Sequence, residues 1–250
     1  MDTSNLFQEA AELIIHSKSL VAFTGAGISA ESGIPPFRGD GGLWNRYDPV
    51  ILELGYFISR PDESWEAIRT IFYDFSSKVK PNAAHLVLAD WEKSEKLKSI
   101  ITQNIDNLHT LAGSKEVFEF HGNSERLICL DCASIFTISE IKLDILPPLC
   151  PKCLGLLKPD FVFFSEGIPS LTYQKSVEAA SACDLMLIIG TSGEVSPANQ
   201  LPRLTRSHHG KIIEINLSPT SYTNTVTDLF IPGKASEILS ILDQTIKNIT

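Results

Sequence analysis

Four of the five cysteines form the pattern Cys129-x2-Cys132-x17-Cys150-x2-Cys153, which falls inside the two-knuckle spacing of zinc sites. A structural zinc takes four thiolates in a closed tetrahedron, whereas a catalytic zinc keeps one position open for water. With no fifth ligand nearby in sequence, the quartet predicts one structural zinc ion. A redox dithiol would need one Cys-x-x-Cys pair, not two. Cys183, between Ala182 and Asp184, is expected to be a small buried hydrophobe.

A second chemical motif follows the apolar run Leu20-Val21-Ala22-Phe23: Gly25-Ala26-Gly27-Ile28-Ser29-Ala30. It fits G-x-G-x-x-G/A, in which glycines let the backbone approach a pyrophosphate and the next helix N-terminus stabilises its charge. A dehydrogenase would then show a second strand with an acidic residue about 20 positions on. The chain instead runs Glu31-Ser32-Gly33-Ile34-Pro35-Pro36-Phe37-Arg38-Gly39. Two prolines and a glycine exclude a central strand, so a loop is expected, bringing Pro35, the Phe37 ring and the Arg38 guanidinium close to the bound phosphates. Standing alone, the motif would favour a glycine-rich turn with Phe37 simply in the core; the sequence around it argues against that.

Polar groups crowd a third place, Thr102-Gln103-Asn104-Ile105-Asp106-Asn107-Leu108-His109, directly after Ile100-Ile101. The C-terminal edge of an open α/β sheet is where ligands bind. Asn104 offers a donor and an acceptor to a carboxamide such as nicotinamide, and Asp106 can accept from its NH2 group; Asn107 reads equally well as a turn residue. His121-Gly122 comes just after Val117–Phe120, where a near-neutral imidazole suits a general base, although a lone histidine is more often structural. Gly190-Thr191-Ser192-Gly193 and Asn216-Leu217-Ser218 end two more apolar runs, positioned to meet ribose hydroxyls or adenine.

The elements that must hold these groups are legible as hydrophobic periodicity. Leu6, Ala10, Leu13 and Ile14 recur at helical spacing and predict an N-terminal helix. Buried strands are expected at Leu20–Phe23, Lys98–Thr102, Val117–Phe120, Asp184–Ile189 and Lys211–Ile215, with helical segments between several of them, the alternation of a parallel α/β sheet. Ile238, Leu239, Leu242 and Ile246 predict a closing helix over Ala235–Ile249. Two stretches break the alternation and read as insertions: Gly39–His85, rich in aromatics, and Gly122–Pro159, which holds the cysteines.

The 250 residues, 43% hydrophobic and 20% charged, suit one large core with a satellite module. A formal net charge of −9, without a basic cluster, disfavours direct binding to nucleic acid. The N-terminus lacks a positively charged leader, and no apolar run reaches the roughly 20 residues of a membrane span. Paired cysteines of the metal type fit a reducing compartment. A cytoplasmic protein with no membrane partner is expected, and a monomer.

Together Gly25–Ser29, Gly33-Ile34-Pro35-Pro36-Phe37-Arg38, Thr102–His109, His121-Gly122, the cysteine quartet and Gly190-Thr191-Ser192 resemble the sirtuin family, in order and spacing, from Phe23 to about Ala235. The resemblance implies a Rossmann-like parallel sheet domain (residues 1–38, 86–121 and 159–250) binding NAD. It also implies a small domain made of a helical insertion (39–85) and a zinc ribbon (122–158), with acyl-lysine protein substrates meeting NAD between the two. The implied activity is NAD-dependent removal of acyl groups from lysine, releasing nicotinamide and an acyl ADP-ribose ester.

On that resemblance His121 is the base acting on a ribose hydroxyl, and Asn104 and Asp106 attend the nicotinamide side with Gln103 and Ile105. Gly25, Ala26, Gly27, Ser29, Ala30, Pro35, Phe37 and Arg38 would surround the phosphates and the cationic centre. Gly190, Thr191, Ser192, Asn216, Leu217, Ser218 and Ala235 match the adenosine side. The substrate backbone would add as a strand across Phe164-Ser165-Glu166 and Gly193-Glu194-Val195.

Three departures stand out. Pro36 replaces the usual Asp or Thr, and Ser165 stands where the family pattern has glycine, so a positive φ there would strain the peptide groove. The Tyr-x-x-Arg pair of desuccinylating and demalonylating members is missing; Arg69 and Tyr73 occur in reversed order at i,i+4, which favours neutral acyl groups such as acetyl. ADP-ribosyl transfer or plain NAD hydrolysis would use the same groove, and a non-catalytic NAD- and zinc-binding module is the third reading.

Overall fold

The computed structural model describes residues 3–37, 41–74 and 79–249; Arg38 of the expected phosphate flap lies outside them. The chain begins with α1 (Thr3–His16) and β1 (Leu20–Thr24), and a 3-10 helix spans Ala26–Ser32. The first insertion contributes α2 (Leu54–Ser59), α3 (Pro61–Ile68) and a π turn at Arg69–Tyr73 before α4 (Ala83–Lys93) and β2 (Leu97–Thr102). Then come α5 (Leu108–Ala112), β3 (Val117–Glu119), β4 (Gly122–Cys129), β5 (Ile135–Thr137) and β6 (Leu157–Phe161). The remainder is α6 (Ser170–Ala182), β7 (Leu185–Ile189), α7 (Gln200–Ser207), β8 (Lys211–Asn216), β9 (Leu229–Pro232) and α8 (Ala235–Ile249).

Six strands in the order β3-β2-β1-β7-β8-β9 form an all-parallel sheet. All five residues of β1 are buried, as a strand covered on both faces requires. Leu20 and Ala22 join the core beneath α1, α4 and α8, whereas Val21 and Phe23 join the one beneath α6 and α7. The five expected strands are present. The sixth, β9, is a short edge strand ending in Pro232 with alternating exposure, too weak a pattern to announce itself. Strand order reverses between β1 and β7, the switch point at which open α/β sheets bind ligands.

The glycine loop at that switch point is followed by a seven-residue 3-10 helix, not by the α-helix expected from the motif. Gly25 N–H donates to Ile189 O at 3.0 Å and Gly27 N–H to Gly190 O at 2.8 Å, so the loop is stitched to the end of β7. A Cβ on Gly27 would lie 2.7 Å from Gly190 Cα; only glycine permits that approach. Asn82 caps α4 by accepting from Ala84 N–H, so this helix runs through residues 85 and 86, where the insertion was expected to end.

The two insertions share one core of their own. Phe57, Trp65 and Ile68 from the helical stretch pack with Leu127, Cys129, Cys150 and Leu157 from the cysteine-bearing stretch and with Phe161 and Phe163 just beyond it. Trp65 Nε1 donates to Leu157 O at 2.9 Å, which satisfies the one polar atom of a fully buried indole. An antiparallel sheet in the order β5-β4-β6 frames the cysteines. No helix among the described residues is long and apolar enough to cross a membrane.

Candidate functional site

Around the switch point, β2 ends in a buried polar network. Asn104, only 6% exposed, donates from Nδ2 to Ser29 Oγ at 3.1 Å, and Ser29 passes its own proton to Asp106 Oδ2 at 2.6 Å. Asp106 also accepts from Leu108 N–H at 3.0 Å, the turn-forming bond that starts α5. Burial pushes the Asp106 carboxyl above its ordinary pKa, with Ser29 and the Leu108 amide pulling the other way. Asn107 adopts φ +61° at the N-cap of α5, the left-handed geometry of a turn, and its Oδ1 accepts from Asn123 Nδ2 at 3.3 Å.

His121 sits between β3 and β4. Its Nδ1 lies 2.9 Å from Gln103 O; a carbonyl can only accept, so Nδ1 carries the hydrogen and Nε2 keeps a free lone pair. Burial lowers the His121 pKa, the Gln103 carbonyl opposing it, and the neutral imidazole is therefore the form at neutral pH. Val162 N–H donates to His121 O at 2.8 Å, fixing the backbone to the chain leaving β6. Gln103 Nε2 meanwhile donates to Thr191 Oγ1 at 2.9 Å, joining the end of β2 to the end of β7.

A cavity of about 370 Å³ opens over this network and is lined by Ala26, Ser29, Pro35, Phe37, Asn104 and Asp106, among others. Its far wall comes from the first insertion through Thr70, Ile71 and Phe72. Arg69 and Tyr73 take no part in that lining: Arg69 donates to Leu143 O at 3.4 Å, and Tyr73 donates to Ser124 O at 3.0 Å while stacking on Trp65. Their i,i+4 spacing survives only across a π turn, and both polar ends serve the small lobe.

His85 was not singled out from sequence, yet it is fully buried with Nε2 3.5 Å from Ser29 Oγ. Its ring centroid lies 4.9 Å from that of His109, which in turn meets Thr24 Oγ1 through Nε2 at 3.0 Å. Burial lowers the pKa of His85 to about 4 and that of His109 well below the ordinary histidine value. His85 Nδ1 also accepts from Asn82 N–H at 3.3 Å, closing the capping box at the start of α4; the sequence signal is that local cap, whereas Ser29 is 56 positions away.

At the expected adenosine end, Thr191 is buried and its carbonyl accepts from Asn216 Nδ2 at 3.0 Å. Leu217 and Ser218 are exposed, and Ala235 is a buried first residue of α8. In the expected peptide groove, Phe164 N–H is committed to Leu52 O, and its C=O accepts from Leu54 N–H with one lone pair left over. Among the described residues, the N–H and C=O of Ser165 and of Glu194 make no hydrogen bond. Ser165 has φ +70°, the left-handed conformation that glycine adopts without strain. Glu166 is held by Lys158 Nζ at 3.0 Å and accepts from Phe163 N–H.

The four cysteine sulfurs all lie within 4.8 Å of one another, with Cys129–Cys153 at 3.5 Å and Cys132–Cys150 at 3.7 Å. A zinc–sulfur bond of about 2.3 Å implies tetrahedral sulfur–sulfur edges of about 3.8 Å, so the thiols fit zinc. Ala133 N–H donates to Cys129 O and Leu154 N–H to Cys150 O, and both donors have positive φ, giving two similar knuckles. Cys183 is 3% exposed in the sheet core.

A parallel α/β sheet with a glycine loop at its switch point and a tetrathiolate module defines a dinucleotide-binding protein with a zinc-ribbon insertion. The Sir2 family model matches residues 25–197. The chain is 40% identical over 242 residues to NAD-dependent protein deacylase 2 of Pyrobaculum aerophilum, covering 95% of this chain and 94% of that one. It is 42% identical over 248 residues to the NAD-dependent protein deacylase of Thermococcus sibiricus, covering 95% of each. A solved Sir2 homolog–NAD complex matches with a TM-score of 0.89 at 37% identity, over 97% of this chain and 94% of that one. A Sir2–p53 peptide–NAD+ structure matches with a TM-score of 0.87 at 33% identity, over 97% and 98%. This chain belongs to the Sir2 family.

Proposed function

We propose that the protein is an NAD-dependent protein-lysine deacylase and that His121 is its general base. One observation carries the reading: the bond from His121 Nδ1 to Gln103 O leaves Nε2 as a proton acceptor, beside the polar network that ends β2. Bound NAD supplies a ribose carbon that the acyl oxygen can attack once nicotinamide leaves. Asn104 and Asp106, with Gln103 and Ile105 beside them, hold the carboxamide, and Ser29 keeps both side chains oriented. Phe37, packed against Trp44 and Phe72, closes the cavity against water. Neutral His121 would take a proton from a ribose hydroxyl at Nε2 as that oxygen attacks the acyl carbon, and the proton would pass to the departing lysine nitrogen.

Gly25, Ala26, Gly27, Ala30 and Pro35 line the phosphate side in this reading, with Arg38, and Thr191, Ser192, Asn216, Leu217 and Ser218 the adenosine side. The peptide adds as a strand between Ser165 and Glu194, whose backbone groups are free among the described residues. A neutral acyl group, acetyl first, is the proposed substrate for the wall of Thr70, Ile71 and Phe72, and the succinyl peptide tests whether Arg46, which lines the same cavity, takes a charged one. Residues 39–85 and 122–158 form the small lobe and the rest the NAD-binding domain. The protein acts as a cytoplasmic monomer without nucleic acid.

The test is nicotinamide release from NAD with and without acetyl-, succinyl- and longer acyl-lysine peptides, the products identified by mass. Acyl-peptide-dependent release with an acyl ADP-ribose product is expected. Release that ignores the peptide would overturn the deacylase reading in favour of NAD hydrolysis.

A further inference from the structure

Glu214 lies in the middle of β8, paired with Ile188 and Phe230 on either side, and is completely buried. A carboxylate in such a place needs compensation, and none of the ion pairs recorded among the described residues involves it. Three threonine hydroxyls face it instead. Thr220 Oγ1 donates to Oε1 at 2.5 Å, while Thr223 and Thr227 Oγ1 donate to Oε2 at 2.8 and 2.7 Å. All three come from the single segment that follows β8, so one side chain gathers residues 220–227 into a compact loop.

That loop touches both ligand subsites. Ser221 Oγ donates to the carbonyls of Ser192 and Gly193 at 3.3 and 3.2 Å. Tyr222 is fully buried under Gly193, where a Cβ would come within 2.7 Å of the ring, and its hydroxyl reaches Asn199 O at 3.4 Å. Ser192 belongs to the adenosine side, and Gly193 opens the strand offered to the peptide. From the same strand, two residues on, Asn216 holds Thr191 O. β8 thus grips the segment 191–193 from two directions, directly through Asn216 and through the loop ordered by Glu214.

We infer that Glu214 is a positioning residue that sets the adenosine subsite and the peptide strand together, through its three threonines and the Ser221–Tyr222 corner. It touches neither ligand. The inference rests on the deacylase reading for its peptide half, whereas the adenosine half is measurable without turnover.

The experiment compares wild type with Glu214→Gln, Glu214→Asp and Thr227→Val, the last removing a hydroxyl whose recorded bond is the one to Glu214. Titration calorimetry with ADP-ribose, steady-state kinetics with NAD and acetyl-lysine peptide, and thermal unfolding are read side by side. Glu214→Gln should weaken ADP-ribose binding and raise both KM values roughly tenfold with little change in kcat, Thr227→Val should move the same constants less, and Glu214→Asp should restore part of the loss. If Glu214→Gln does not fold, Thr227→Val decides by itself. A lower Tm with unchanged ADP-ribose affinity and KM values, or a shift in one ligand's constants alone, overturns the inference. Wild type lacking peptide-dependent turnover sinks the deacylase reading instead, while the ADP-ribose titration still judges the adenosine half.

Discussion

The carbonyl oxygen of Gln103 accepts the Nδ1 hydrogen of His121 at 2.9 Å, and that bond decides which imidazole nitrogen is free to take a proton. His121→Ala should keep zinc and ADP-ribose binding and lose about 10²–10⁴-fold in turnover. Because burial holds the His121 pKa below the ordinary value, the base stays deprotonated as pH falls toward 6.5. The acid limb of a kcat/KM profile should therefore lie below that of an unperturbed histidine; a limb above it would contradict the assignment.

Stability should follow the buried histidines. Their folded pKa values are depressed, so as pH falls below about 6.5 the unfolded chain binds protons that the folded chain does not. The sign is loss of stability on acidification, present in full above the unfolded value. His85, lowered to about 4, should by itself cost roughly 2–3 kcal/mol between pH 6.5 and 4.5. Asp106, whose pKa is raised, opposes this below its own folded pKa. Denaturant titrations of wild type and His85→Asn across that range measure the difference, and parallel pH profiles for the two would refute it.

Ser165 pays a backbone cost at φ +70°. Ser165→Gly should raise stability by roughly 0.5–1 kcal/mol, the relief of left-handed strain less the added freedom of the unfolded chain. At this chain length that is about 1–4 °C in Tm. Peptide KM should change with it if the peptide adds as a strand along Ser165, as proposed.

Gly27→Ala should fail in a different way. Its Cβ would press to 2.7 Å on Gly190 Cα and 2.9 Å on Gly190 O, both backbone atoms that cannot swing aside. A loss of about 1–3 kcal/mol together with lost ADP-ribose affinity is expected by thermal unfolding and calorimetry.

Arg69 and Tyr73 should leave acyl choice alone, because each spends its polar end on a carbonyl of the small lobe. Arg69→Ala should keep the acetyl-to-succinyl ratio of kcat/KM within about twofold, and Tyr73→Phe should cost about 1 kcal/mol of stability. A collapse of succinyl turnover in Arg69→Ala would show the arginine reaching the acyl group.

What the sequence determined by itself was local in its physics. Cysteine spacing predicts a tetrathiolate because two short knuckles can each present two sulfurs. The glycine pair after β1 announces a close backbone approach, and the apolar runs announce strands covered on both faces. The polar run Thr102–His109 could be placed at a strand end without knowing what lay opposite.

What only the tertiary structure decided depends on groups far apart along the chain. The His121 tautomer is set by a carbonyl 18 residues away, and His85, held locally by Asn82, meets Ser29, 56 residues distant. The bond of Arg69 to a small-lobe carbonyl depends on Leu143, 74 residues on. The three hydroxyls on Glu214 reach it only because the segment after β8 folds back over that strand. Periodicity reports which face a residue occupies; which partner awaits it there is a property of the packed chain.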